Sequence, residues 1–126
     1  MHWLLVALGG AIGASLRYAA GVWLFKPSSL FPWTTWIVNI VGCLAAGIFF
    51  AFSQKYPMLQ QEARLFLMVG ILGGFTTFSS FGLESFQLLK QGQIGLAFVY
   101  MVSSVIVGII ALIIGFYITQ SILQQA

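Results

Sequence analysis

Polar and aromatic side chains set at helical spacing inside otherwise apolar runs are the groups in this chain with chemistry to offer. In a hydrocarbon setting such groups are expensive unless they have a task. The densest set is Gly73-Gly74-Phe75-Thr76-Thr77-Phe78-Ser79-Ser80-Phe81-Gly82-Leu83-Glu84. A helix interrupted at the glycines leaves backbone carbonyls and amides without intrahelical partners, and inside a bilayer protein, water or an ion must meet them. The carbonyls of Gly73 and Thr76 could then hold a small hard cation such as Na⁺, which prefers oxygen ligands. Two copies of the segment facing each other would complete its shell. Past the break, Phe78 and Phe81 lie three residues apart on one helical face. A phenyl ring is electropositive at its edge, so rings presented edge-on attract an anion without trapping it. Aromatics at this spacing also serve as plain packing groups, and the pair alone does not separate the two uses.

Asn39 lies roughly 9 Å or more along its segment from Trp33. An unpaired amide at that depth is penalised by a few kcal/mol, so it needs a partner or a ligand. Thr35 stands one turn earlier on the same face, and Tyr100, Ser104 and Gly108 form a second stripe at spacings of four. Two donor-bearing stripes could line one narrow polar path, or could act as glue between helices. Arg17 and Glu84 both count to within about 9–14 Å of one membrane face, measured from Lys26 and Lys90. They are expected to pair, with Arg17 making a vestibule electropositive and Glu84 orienting it. A buried structural ion pair or a snorkelling arginine fits the same spacing.

Catalytic groupings are missing from the pattern. Cys43 is the sole cysteine, His2 is the sole histidine, and the carboxylates Glu62 and Glu84 fall on different segments. These residues assemble neither a metal site of side-chain ligands nor a nucleophilic triad, so an enzyme is not expected.

The elements that must position the polar groups follow from composition. Of the 126 residues, 60% are hydrophobic and 6% charged, a balance suited to lipid as solvent. A hydrocarbon core about 30 Å thick requires roughly 20 apolar residues per helix, which leaves space for about four or five crossings and no soluble domain. The apolar runs fall at residues 3–25, 33–53, 63–89 and 94–122. The first ends at Lys26-Pro27-Ser28-Ser29 and the second at Gln54-Lys55-Tyr56-Pro57, with Trp33 and Trp36 suited to an interfacial belt. Met1-His2-Trp3 lacks the basic start of a secretory signal, so the first run is expected to remain as a span. The third run carries Gly70, Gly73, Gly74 and the Thr/Ser cluster, so an interruption in mid-membrane is expected there. The chain therefore reads as one all-α membrane domain, residues 1–126, with four transmembrane helices and a broken third helix.

The formal net charge of +3 is scattered and forms no nucleic-acid patch. With four crossings, Lys55 and Arg64 share the side of the termini, while Lys26 and Lys90 face the other side, joined by Arg17 if it snorkels. Loop Lys/Arg excess normally fixes orientation, so this near tie favours insertion both ways round and hence an antiparallel, dual-topology homodimer. Gly9, Gly13 and Arg17 at four-residue spacing, and Gly42 with Ala46, mark faces where helices can pack closely.

The combination resembles the Fluc/CrcB family of fluoride channels across essentially the whole chain. The resemblance rests on Gly9-Gly10-x-x-Gly13-Ala14-x-x-Arg17-Tyr18, Thr35-x-x-x-Asn39, Gly73-Gly74-x-Thr76-Thr77-Phe78-Ser79-x-Phe81 followed by Glu84, and Tyr100-x-x-x-Ser104. The third of these carries most of the specificity. The resemblance implies an antiparallel dual-topology homodimer in the cell (inner) membrane with two passive pores selective for fluoride over chloride, discharging cytoplasmic fluoride and so giving resistance to its toxicity. It implies Phe78 and Phe81 lining each pore, Asn39 donating its amide to fluoride, and Thr35, Tyr100 and Ser104 on the polar track. It also implies a structural Na⁺ at the dimer centre, held by the Gly73 and Thr76 carbonyls. Ser80, Gly82 and Gly108 depart from residues common among such relatives, which leaves the outer polar track open to variation.

Two rivals come from other classes. A small proton-coupled multidrug exporter would also be short and four-spanning, but needs an intramembrane carboxylate for proton exchange, where the first span carries Arg17. A non-transporting assembly subunit would use the polar stripes only as helix glue.

Overall fold

Prolines and the residues before them set the ends of the first two helices. A residue preceding proline is pushed out of the helical region. Accordingly α1 (His2–Leu24) gives way to extended Phe25 just before Lys26-Pro27, and α2 (Trp33–Lys55) starts directly after Pro32 and stops at Tyr56 before Pro57. In this computed structural model, which describes residues 1–125, all the regular elements of those residues are helical. A 3₁₀ turn, Pro57–Gln60, leads into a π-helical stretch, Arg64–Leu72, which continues as the single turn α3 (Gly73–Phe75). Thr76 and Thr77 are extended, and α4 (Phe78–Lys90) begins after them. Thr77 caps α4 by accepting the Ser80 amide on its side-chain oxygen at 3.1 Å. At the far end, Gly92 takes φ +80° while the Gln93 amide reaches back to the Leu88 carbonyl at 2.9 Å. That closing turn needs a residue free to adopt left-handed backbone. Beyond it, α5 (Ile94–Gln125) is the longest element.

Four helical stretches, His2–Leu24, Trp33–Lys55, Arg64–Lys90 and Ile94–Gln125, are long and apolar enough to cross a membrane. The chain is thus an all-helical, four-span membrane protein, and the expected runs agree with these bounds to within a few residues.

The sequence led us to place the interruption at the paired glycines, and here the backbone differs. Gly73 and Gly74 are helical, and the extended residues are Thr76 and Thr77. Gly74 instead serves a close contact with α1: a Cβ added there would meet the Gly10 carbonyl oxygen at 2.6 Å and the Ala14 amide at 3.0 Å. The π-helical stretch was not expected at all. Its wider turn leaves no hydropathy signature, because the apolar residues surround it on every side.

The helices pair as α1 along the third stretch and α2 along α5, with α4 also against α5. Few side chains are buried within one chain; Val38, Ala51, Leu88, Ala97 and Tyr100 form the apolar part of that set. Large apolar groups cover the outside, as befits a chain whose outer solvent is lipid or another helix.

Candidate functional site

The site is built around two extended residues, Thr76 and Thr77, whose backbone groups a continuous helix would have satisfied. Asn39, on the face of α2 turned to this point, takes over for Thr77. Its Nδ2 donates to the Thr77 carbonyl at 3.0 Å, and its Oδ1 accepts the Thr77 amide at 2.9 Å. The primary amide thereby substitutes for a peptide group. The Thr77 amide is the one that would have met the Gly73 carbonyl in an unbroken helix, and the Ser80 amide, diverted to Thr77 Oγ1, would have met the Thr76 carbonyl. Two separate devices therefore withdraw helical donors from the Gly73 and Thr76 carbonyls. Thr76 turns its own amide and hydroxyl back to the Leu72 carbonyl, at 2.9 and 2.8 Å.

Arg17 and Glu84 do not pair. Arg17 Nε donates to the Gly74 carbonyl at 3.0 Å, and Glu84 Oε1 accepts the Tyr100 hydroxyl at 3.2 Å. The expectation of an ion pair rested on depth alone, and depth does not fix direction around the helix. A cation at the last carbonyls of a helix is stabilised by the partial negative charge there, which is the position Arg17 takes at α3.

The two phenylalanines open α4. Their ring centroids lie 5.7 Å apart with planes inclined by 40°, and Phe81 in turn stands 5.2 Å from Tyr100 at 44°. Phe78 is 83% exposed in the single chain, Phe81 is half-buried, and Tyr100 is fully buried. Phe78, Phe81, Asn39, Ser104, Gly73 and Thr76 share one open cavity of about 420 Å³. Ser104 Oγ in its wall is buried without a hydrogen-bond partner, the one such side-chain atom among the described residues. Buried polar atoms normally have a partner, so this hydroxyl stands out in the cavity wall.

Thr35 does not reach that cavity. It lines a second one, of about 470 Å³, with Arg17, Tyr18, Thr77 and Ser80. Thr77 borders both, so the break stands between them. Tyr100 lines neither; it holds Glu84 from within the core. Sequence reasoning also passed over Thr77 as a residue in its own right, although a threonine directly ahead of a helical apolar run is a capping signal. It missed Ser103 as well, which accepts Trp36 Nε1 at 3.0 Å and ties α2 to α5. The four-residue spacing from Tyr100 singles out Ser104 and passes over Ser103, although three residues also share a helical face.

Comparison with known proteins agrees over nearly the whole length. A Chloroflexus aurantiacus protein named fluoride-specific ion channel FluC is 48% identical over 113 residues, 89% of this chain and 90% of that one. Proteins of the same name from Methylobacillus flagellatus and Thermus thermophilus are 41% identical over 123 residues (96% of each chain) and 45% identical over 116 residues (91% of each). The family described as CrcB-like protein, Camphor Resistance (CrcB), matches residues 4–116, and with that extent of match this chain belongs to the CrcB-like family.

Proposed function

We propose that this protein is a fluoride-selective channel of the cell (inner) membrane that passes F⁻ passively out of the cytoplasm and so protects against fluoride. The observation that carries the reading is the single cavity in which Asn39, Phe78, Phe81 and the unpartnered Ser104 hydroxyl meet, in a chain whose relatives are named fluoride-specific channels. Fluoride is small and strongly hydrated, so a selective path must replace its water with donors and ring edges in a bore too tight for chloride. Each contact must also be weak enough to release the ion. Asn39 Nδ2 gives one hydrogen to Thr77 and has a second for an anion. The Ser104 hydroxyl is free to turn toward the same ion, and the rims of Phe78 and Phe81 supply the rest. Arg17, beside Thr35 in the second cavity, makes that side electropositive and forms a vestibule, while Glu84 acts by fixing Tyr100.

The working unit in this proposal is an antiparallel, dual-topology homodimer, each chain one channel domain over residues 1–126. The broken third helices cross near mid-membrane, and the Gly73 and Thr76 carbonyls of two copies hold a structural Na⁺. These carbonyls are suited to it: they are neutral, hard oxygen donors, and the amides that would quench them are engaged elsewhere.

Liposomes loaded with potassium fluoride and carrying the purified protein provide the test, with valinomycin to balance charge and a fluoride electrode outside. Release should be rapid with no proton gradient, liposomes loaded with potassium chloride should keep their chloride, and Phe78→Ile should slow fluoride release by about tenfold or more, since a ring edge offered to the ion is lost. Release that demands a proton gradient would indicate an exporter, and none at all an assembly subunit.

A further inference from the structure

The connection between α1 and α2 would ordinarily be read as a mere linker, yet it sends one ring into the core. Phe31 packs edge-on against Tyr100, with centroids 5.4 Å apart and planes at 90°. Its placement is determined by the backbone on either side. Pro32, at φ −80° and ψ 74°, is the centre of a tight turn in which the Trp33 amide donates to the Phe31 carbonyl at 2.9 Å. Those dihedrals and that bond are the inverse γ-turn, a local structure that proline's fixed φ favours. Trp33 flanks Phe31 at 4.6 Å, and Trp36, itself bonded to Ser103, flanks it at 6.3 Å. Tyr100 thereby contacts both Phe31 and Phe81, the latter at 5.2 Å, with its hydroxyl on Glu84.

We infer that Phe31 is a positioning residue for ion passage: it fixes the fully buried Tyr100, and through that ring the angle of Phe81 and the carboxylate of Glu84. This inference rests on the channel reading, in which Phe81 lines the path. Phe31 borders neither cavity that holds the proposed path residues, and Tyr100 is the ring that joins it to Phe81. A T-shaped contact fixes the tilt of a ring far better than aliphatic packing does, because the edge of one ring prefers the face of the other.

Single-channel fluoride current in planar bilayers is the appropriate readout, because the current through one folded channel does not depend on how much protein folds. Phe31→Met keeps the volume and removes the ring; it should lower that current by roughly three- to tenfold, the scale of one edge-to-face contact. Phe31→Tyr keeps the ring and should return the wild-type current. With Tyr100→Leu already in place, Phe31→Met should lower the current no further. Wild-type current in Phe31→Met, or the same fractional loss with and without the Tyr100 ring, would overturn the inference. If Phe31→Met gives no folded channel, Phe31→Leu decides by the same criteria. A wild-type protein that passes no fluoride would remove the channel reading itself, whereas a conducting wild type indifferent to Phe31 removes only this step.

Discussion

Asn39 illustrates how one side chain can hold a fold and still have a hydrogen to spare. Its reciprocal bonds to Thr77 replace a peptide group, and each lost partner would leave a backbone group unsatisfied at about 1–3 kcal/mol. Asn39→Asp keeps an acceptor for the Thr77 amide but sets a carboxylate against the Thr77 carbonyl and deletes both N–H donors. The variant should therefore fall both in thermal stability and in fluoride efflux, the latter by more than about tenfold, as differential scanning fluorimetry and electrode assays would measure. Ser104 predicts the opposite pattern. Its hydroxyl is buried and unpartnered, so Ser104→Ala relieves a polar group of burial and should leave stability unchanged or raise it by about 1 kcal/mol. Flux should nevertheless fall, because the hydroxyl is one of the groups offered to the ion. A Ser104→Ala protein with lower stability and normal flux would return this residue to helix glue.

At the scale of the element, the third stretch is where sequence and structure part. Hydropathy gave the four spans because roughly 20 apolar residues between prolines and charges leave little freedom in a bilayer, and the ends at Lys26-Pro27 and Tyr56-Pro57 are local chemistry. Spacing also put Phe78 and Phe81 on one face, and both border one cavity, whereas Thr35 and Asn39, at the same kind of spacing, border different ones. Which partner each side chain takes was not legible. Arg17 on Gly74, Glu84 on Tyr100 and Asn39 on Thr77 all depend on how helices distant in sequence are rotated against each other, and periodicity carries no such information. The glycines were misread because the same residue type suits a break and a close crossing. The crossing makes its own prediction. Gly74→Ala would press a methyl against the Gly10 carbonyl and Ala14 amide of α1, backbone atoms that cannot turn aside, and should destabilise the protein by about 1–3 kcal/mol or prevent its recovery as a single species. Gly95→Ala, where an added Cβ meets nothing within 4 Å, should elute in size-exclusion chromatography as the wild type does.

For the whole molecule, a single chain leaves Phe78 83% exposed beside an open cavity, which in the proposed channel a second copy would enclose. In that proposed dimer, loop charge is the argument for an antiparallel partner. Lys55 Nζ reaches the Leu123 carbonyl, which puts the loop after α2 and the end of α5 on one side, as four crossings demand. Arg17 is committed to the Gly74 carbonyl and so drops out of the tally of loop charges. Two cations, Lys55 and Arg64, then oppose two, Lys26 and Lys90. With no excess to retain either side in the cytoplasm, both orientations should insert, and only their combination should form the antiparallel dimer. Added charge should expose this. Gln61→Lys with Gln124→Lys loads the side of the termini, and Gln91→Lys with Gln93→Lys loads the other; all four positions are exposed. Each biased protein alone should insert one way and leave fluoride-sensitive cells unprotected, while co-expression of the two should restore growth on fluoride. Full protection by either one alone would mean that a parallel pair conducts. The antiparallel shell proposed around Gly73 and Thr76 would then have to be abandoned, because parallel chains would present both copies of those carbonyls to the membrane from the same end.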